Sequence, residues 1–411
     1  MSSECGSLPA EKCAQVRRGK RAAAFCGLLI ITLLAASCAG RGGLWRALDS
    51  GNEAGPPVLL AFEPDAGLFA LTCENSGTAL ALWRADTSAI RRAAGGGGGI
   101  STAKIRWQRW SELDRCAPEG RLDVALSRNT IAVAGVDDQG VWIARHAADA
   151  PSQGTAPWGI AHLPAQQPVF ALCMESQNAA SRAEEWLHLV TFEGGPQDTL
   201  GRIVYRRSSD EGETWSAPFE LACGALGKPG IAASDASSLV DVCYARDSLM
   251  VYRGSTDAGG EWSAEKVIRL RASPTGNAEI ARAGPELFVL CENHLHQAAG
   301  SASENEGHNW EPAIALARQS AHARRPALDA AAGVFWAAFS QGDSLVALRS
   351  ATHPRRPQAW LPPVSIDEAC AGSPALQALP DGSAALLFAR ERGGVRFARI
   401  AAPRAEPDSA R

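Results

Sequence analysis

From residue 44 to residue 403 the chain is a succession of short apolar runs broken by Gly, Asp, Ser and Pro, with no long helical period. In the clearest stretch, PGIAAS (229–234), SLVDVCYA (238–245) and SLMVYRGS (248–255) follow one another, and WSAEKVI comes after a polar turn. Short alternating runs at this spacing predict strands joined by tight turns. The set of four repeats. Trp110, Trp158, Trp215, Trp262, Trp310 and Trp360 are separated by 48, 57, 47, 48 and 50 residues, and most open a strand-like run closing on an aliphatic residue. A period near 48 residues with four strands per unit predicts an all-β propeller of four-stranded blades.

The ends of the chain bear on the blade number. After Trp360, PALQAL, SAALLFAR and GVRFARI supply three strands of a last blade and no fourth. Leu44-Trp45-Arg46-Ala47-Leu48 reads as a lone fourth strand. Placed on the last blade, it closes the ring and gives seven blades, with six as the alternative if one degenerate unit is not a blade. Closure of this kind removes open sheet edges.

Three turns carry a shared pattern: SSDEGETW at Ser208–Trp215, STDAGGEW at Ser255–Trp262 and SENEGHNW at Ser303–Trp310. Asp210, Asp257 and Asn305 can accept hydrogen bonds from backbone N–H groups a few residues on. Gly212, Gly259 and Gly307 can supply positive φ. The Trp is expected to pack back on its own sheet. This S-x-[D/N]-x-G-x-x-W form resembles the Asp box, or BNR repeat, of the sialidase superfamily.

The resemblance implies a comparison with sialidases, which use a tyrosine nucleophile, a glutamate that activates it, an acid/base aspartate and three arginines on the substrate carboxylate. Arginine suits that role because its planar fork binds carboxylate bidentately. Few residues here match. The first blade, PPVLLAF, has no arginine; the nearest text to an R-I-P motif is Arg324-Arg325-Pro326, which makes Arg325 a candidate. Arg390, Arg392 and Arg396 sit in the last unit, and Arg396 is the candidate among them. Tyr205 and Tyr252 share a repeat position and read as structural, leaving Tyr244 as the candidate nucleophile. His294 and His296 are read as alternating on one strand face, a pair lacking a third ligand. No metal site or cofactor motif is expected.

The N-terminus carries a different signal. Arg17, Arg18, Lys20 and Arg21 precede the apolar run 22–37, the order of a secretory signal. Leu34-Ala35-Ala36-Ser37-Cys38 resembles a bacterial lipobox, which implies lipidation of Cys38; Ala39 after it implies the outer membrane in a Gram-negative cell. The expected organisation is a signal peptide (1–37), a lipidated tether (38–43), one propeller domain (44–403) and a disordered tail (404–411). Removing residues 1–37 takes five basic and two acidic residues from totals of 40 and 44, leaving a net charge of −7 and no basic stripe. Nucleic acid is therefore excluded as a partner. Seven cysteines, Cys73, Cys116, Cys173, Cys223, Cys243, Cys291 and Cys370, fall in the propeller, an odd number in a compartment where disulfides persist.

The expected function is an exported, membrane-anchored propeller that binds a glycan or an envelope protein without catalysis. The alternatives are a divergent exo-α-sialidase or other glycoside hydrolase, and an assembly factor for an envelope complex.

Overall fold

The computed structural model describes residues 46–47, 58–63, 67–74, 78–85, 107–118, 121–127, 129–148, 157–178, 185–194, 200–234, 237–316, 323–342, 344–349, 354, 359–361, 363–366, 370–390 and 394–400. The leader 1–37, Cys38, the tether 38–43, the glycine run Gly95–Gly99 and the tail 404–411 lie outside the described residues.

Among the described residues, twenty-seven strands form six antiparallel sheets, five of four strands and one of seven, in which the long β13 serves two adjoining blades. Strand β1 (Arg46–Ala47) comes first and belongs with the last sheet. Blade 1 is β2 (Val58–Glu63), β3 (Gly67–Glu74), β4 (Ala79–Ala85) and β5 (Trp107–Leu113). Blade 2 is β6 (Leu122–Leu126), β7 (Thr130–Asp137), β8 (Gly140–Ala147) and β9 (Gly159–Leu163). Blade 3 is β10 (Val169–Asn178), β11 (Glu185–Glu193), β12 (Gly201–Ser208) and the first half of β13 (Phe219–Ala233). Blade 4 takes the second half of β13, then β14 (Val240–Arg246), β15 (Leu249–Ser255) and β16 (Lys266–Ile268). Blade 5 is β17 (Pro274–Ala283), β18 (Glu286–Asn293), β19 (Ala298–Ser303) and β20 (Ile314–Ala315). Blade 6 is β21 (Ala323–Ala331), β22 (Val334–Gln341), β23 (Ser344–Arg349) and β24 (Val364–Ile366). Blade 7 is β25 (Ala375–Ala378), β26 (Ala384–Ala389), β27 (Val395–Ile400) and β1.

The innermost strands touch in sequence, β2 to β6, β10, the end of β13, β17, β21, β25 and back to β2. That circuit makes a closed seven-bladed β-propeller. The closing contact pairs Arg46 with Phe397 and Ala47 with Arg396, so an N-terminal strand completes the C-terminal blade.

The core lies between blades rather than within them. On β3, Leu68 and Ala70 belong to a cluster with Leu387 and Phe397 of blade 7. Their neighbours Phe69, Leu71 and Cys73 belong to a cluster with Ile131, Val133 and Trp142 of blade 2. Successive side chains on a strand point to opposite faces, so both faces of a middle strand are covered. This explains why GLFALTCE is buried along its whole length and does not alternate, unlike the alternating pattern expected from sequence. Each large aliphatic side chain buried this way contributes about 1.5–3 kcal/mol.

The three polar turns have one geometry. Ser208 Oγ lies 2.7 Å from Asp210 Oδ1 and accepts the Gly212 N–H at 2.8 Å, while Asp210 Oδ1 accepts the Thr214 N–H at 2.8 Å. In the second turn Ser255 Oγ accepts the Gly259 N–H at 2.9 Å, and Asp257 Oδ1 the Glu261 N–H at 2.8 Å. In the third, Ser303 Oγ accepts the Gly307 N–H at 3.0 Å, and Asn305 Oδ1 the Asn309 N–H at 2.8 Å. The glycines sit at φ of 85°, 80° and 75°, each preceded by a second left-handed residue, Glu211, Ala258 or Glu306.

Two of the three turn tryptophans pack on the blade before their own. Trp262 meets Tyr205 of the preceding blade edge-on at 4.9 Å, and Trp310 meets Tyr252 at 5.2 Å. Tyr205 OH donates to the Ala258 carbonyl of the next blade's turn, and Tyr252 OH lies 3.2 Å from the Glu306 carbonyl. The turn of one blade therefore fastens to the third strand of the blade before it. Blade 5 has Gly300 at the place of these tyrosines, three residues before the turn serine. A Cβ there would stand 2.5 Å from the Phe288 ring, and Phe288 instead meets Trp360 at 5.2 Å. The aromatic contact is kept with the ring supplied from the neighbouring strand.

His294 and His296 do not alternate on a strand. Asn293 Oδ1 accepts the N–H groups of Leu295 and Gln297 at 3.0 and 3.1 Å, and His296 has φ of 55°. The segment is a turn held by the Asn side chain, and His296 Nδ1 lies 3.0 Å from Glu292 Oε1.

Candidate functional site

The seven innermost strands enclose a central cavity of about 650 Å³, walled by residues of every blade. An innermost strand has no partner on its inner side, so its backbone groups there need other partners. Side chains reaching across blades supply them. Asp123 on β6 accepts the Met174 N–H of β10 at 2.9 Å and, through its other oxygen, the Val124 N–H at 2.9 Å. Asp329 on β21 accepts the Ala378 N–H of β25 at 2.6 Å, Gln377 Nε2 at 2.7 Å and the Ala330 N–H at 2.8 Å. Asn277 Oδ1 accepts the Lys228 N–H at 3.1 Å, and Ser176 Oγ donates to the Leu126 carbonyl at 2.8 Å.

Lys228 reaches Glu279 of the next blade at 3.2 Å. Burial works against the ammonium, but Glu279 and Asp123 more than offset it and hold Lys228 above its ordinary value. Burial raises Glu279, with Lys228 opposing. Burial likewise raises Asp123, opposed by Lys228 and the two N–H bonds. Asp329 has no cation among the causes of its shift; burial lifts it to about 7 against the pull of the Ala378 and Ala330 N–H groups. Arg282 also lines the cavity, with its Nε 2.6 Å from Asp241 Oδ2, both side chains almost wholly buried. The described wall thus carries four carboxylates, Asp123, Glu175, Glu279 and Asp329, against Lys228 and an already neutralised Arg282.

The sequence candidates are not brought together by the described structure. Arg325 lies on β21, whose following residues Pro326–Ala330 line the cavity, but its side chain is outside the described residues. Tyr244 is on β14, in the core between blades 3 and 4, and its hydroxyl donates to Glu265 Oε1 at 2.7 Å. Arg246 also binds Glu265, at 2.6 Å, and burial raises the Tyr244 phenol with Glu265 adding to it. Arg396 is half-buried on β27, opposite Phe388. Neither Tyr244 nor Arg396 lines the cavity, and no tyrosine is among its described lining residues. The cavity residues Asp123, Lys228, Glu279 and Asp329 were missed by sequence reading. Their one signal is a charged residue in the first strand of a repeat, which in β17 and β21 is shared with other polar residues, Asn277 and Arg282 or Arg324 and Arg325. Among the described residues, no group of three or more His, Cys, Asp or Glu side chains is placed to hold a metal ion.

No protein-family model and no curated protein matches this sequence. Solved structures similar to it include the Aleuria aurantia lectin with α-methyl-L-fucoside, at 12% identity over 77% of this chain and 96% of that one, with a TM-score of 0.48. Another is the GH93 α-L-arabinofuranosidase of Fusarium graminearum with arabinobiose, at 12% identity over 69% and 95%, with a TM-score of 0.49. A third is AofleA of Arthrobotrys oligospora, at 10% identity over 69% and 84%, with a TM-score of 0.45. The Aleuria lectin has a six-bladed β-propeller fold, one blade fewer than the ring formed here. The assignment of this chain as a propeller rests on its own strand pairing.

Proposed function

We propose that this chain is an exported, lipid-anchored propeller that binds a glycan in its central cavity without transforming it. The observation that carries the reading is the cavity itself: about 650 Å³, walled by every blade and set with Asp123, Lys228, Glu279 and Gln377. Its volume is within the range of small-ligand sites. A sugar presents many hydroxyls, each both donor and acceptor, and a ring of carboxylates, amides and an ammonium answers them. The acidic excess disfavours a ligand that is itself an anion. The preferred ligand is therefore a neutral or amino-bearing glycan rather than a sialoside. The turn pattern supports kinship with Asp-box propellers. The basic cluster and apolar run before Cys38 support export and anchoring.

One observation favours a second reading. Asp329, near half-protonation at neutral pH, has the protonation state that a glycosidase acid needs, and Glu279 is a second carboxylate in the same cavity. A glycoside hydrolase is the alternative.

Calorimetric titration of the purified protein with neutral, amino and sialylated mono- and disaccharides, alongside fluorogenic glycosides, separates these readings. Binding without turnover, weakened tenfold or more in Glu279→Gln at unchanged fold, supports the proposal. Turnover lost in Asp329→Asn replaces it with the hydrolase. A folded protein that neither binds nor cleaves any of the panel overturns the glycan reading and leaves a protein partner. Export and anchoring are tested separately, by radiolabelled palmitate incorporation in the wild type and in Cys38→Ala.

A further inference from the structure

Cys73 and Cys116 face each other across blade 1, with their sulfurs 2.6 Å apart. Cys73 is on β3, 2% exposed, in the core between blades 1 and 2. Cys116 lies just past β5, in the connection to blade 2, half-buried against the same core. Two thiols held so close need no backbone rearrangement to join. Cys73 and Cys116 are 43 positions apart in sequence, and β4, β5 and the segment 86–106 with the glycine run lie between them, the widest gap between successive described strands of one blade after β2.

We infer that Cys73 and Cys116 form a disulfide that locks blade 1 to the blade 1–2 connection, made by exchange with a small-molecule or protein disulfide. The half-exposed Cys116 is the entry thiol and Cys73 resolves. Cys116, as thiolate, attacks one sulfur of the oxidant RS–SR, forming a mixed disulfide and releasing RS⁻, which takes up the proton. Cys73, as thiolate, then displaces the second RS⁻, again protonated on release. The sum is two protein thiols plus RS–SR giving one protein disulfide plus two RSH. The pair suits this chemistry. The Cys116 S–H holds the Cys73 thiol below its ordinary value, against burial, while the same contact and burial raise Cys116, so the pair loses its first proton from Cys73 and Cys116 attacks once its own S–H proton has passed to the Cys73 thiolate beside it. Cys173 and Cys243, by contrast, are pushed well up by burial, and Cys291 rises to about 12. The bond closes a long loop, which lowers the conformational entropy of the unfolded chain. An oxidising compartment is where such a bond persists. The inference concerns the chain's own chemistry and does not depend on what the central cavity binds.

The test is made on the purified full chain. Fully reduced protein is equilibrated in glutathione buffers from reducing to oxidising, acid-quenched, alkylated under denaturing conditions, and mapped by peptide mass spectrometry. The expected result is a Cys73–Cys116 linked peptide, two hydrogens lighter than the sum of its parts, with a melting temperature several degrees above that of the reduced protein. Cys73→Ser is expected to accumulate glutathione on Cys116 in place of the link. The Cys73→Ser/Cys116→Ser double variant should show no oxidant-dependent shift in melting. Recovery of both cysteines singly alkylated from folded, oxidised wild type overturns the inference, as does a link from either one to Cys223 or another cysteine.

Discussion

Two buried titratable residues bias stability in opposite directions with pH. His188 on β11 lies between the Tyr205 hydroxyl, 2.7 Å from its Nδ1, and Gln177 Oε1 at 3.4 Å. Burial, helped by the Arg207 charge, lowers it from 6.5 to about 3. Below pH 6.5 the unfolded chain takes a proton that the folded one refuses, so stability falls as pH drops from about 6.5 towards 3. His188→Gln, which cannot titrate, is expected to flatten that part of the stability curve in urea melts taken from pH 7 to pH 4. Asp329 acts the other way. Its folded value of about 7 lies above the ordinary 3.8, so its contribution is full below pH 3.8 and is lost as pH rises through about 7. Measured against Asp329→Asn, wild-type stability should decline from pH 4 to pH 7 and then level off. The same variant loses one acceptor for the N–H groups of Ala330, Ala378 and Gln377, a loss of about 1–3 kcal/mol at every pH. A difference that does not vary with pH would show that Asp329 titrates normally in the folded protein.

At the scale of the element, the repeated turn is the part that sequence revealed best, and the reason is locality. Its hydrogen bonds span four residues or fewer, from Ser208 to Gly212 or Asp257 to Glu261, so the motif contains its own geometry. What the turn touches was not legible, because Tyr205 and Trp262 are 57 residues apart and meet only once blades stack. His294 and His296 were misread for a related reason. An every-other-residue pattern resembles a strand until the Asn293 side chain claims the backbone N–H groups beside it. The turn's dependence on glycine is testable at Gly259. It has φ of 80°, and a Cβ would fall 1.8 Å from the Tyr205 hydroxyl oxygen. Gly259→Ala is expected to cost about 2 kcal/mol or more, seen as a lower urea midpoint with unchanged slope. Gly284 also has positive φ, at 64°, but a Cβ there meets nothing within 4 Å. Gly284→Ala should therefore cost only the backbone preference, about 1 kcal/mol. Equal losses at the two sites would mean that the contact between blades does not matter.

Across the whole molecule, the seven-blade count was readable in the Trp spacing, whereas the cavity was not. Asp123, Lys228, Glu279 and Asp329 are each about 50 residues or more from the next, share no motif, and converge only because the ring closes. Closure depends on a very small element. Two residues of β1 pair with Phe397 and Arg396, and among the described residues they alone cover the outer side of β27. Without them blade 7 has three strands, and β27 presents a row of unpaired backbone groups, a template for pairing with another chain. The packing of blade 7 on blade 1 does not need β1, since Leu387 and Phe397 belong to one core cluster with Leu68 and Trp83. Removal of β1 should therefore leave a folded propeller with a sticky edge rather than an unfolded chain. A version beginning at residue 49 is expected to keep its β-rich circular dichroism, melt at a lower temperature, and self-associate on size-exclusion chromatography with light scattering. A version beginning at residue 40 keeps β1 and should match the full-length chain in both measurements. If the two truncations melt together and both stay monodisperse, the pairing of β1 with β27 carries no weight, and the ring is held shut by the core between blades 1 and 7 alone.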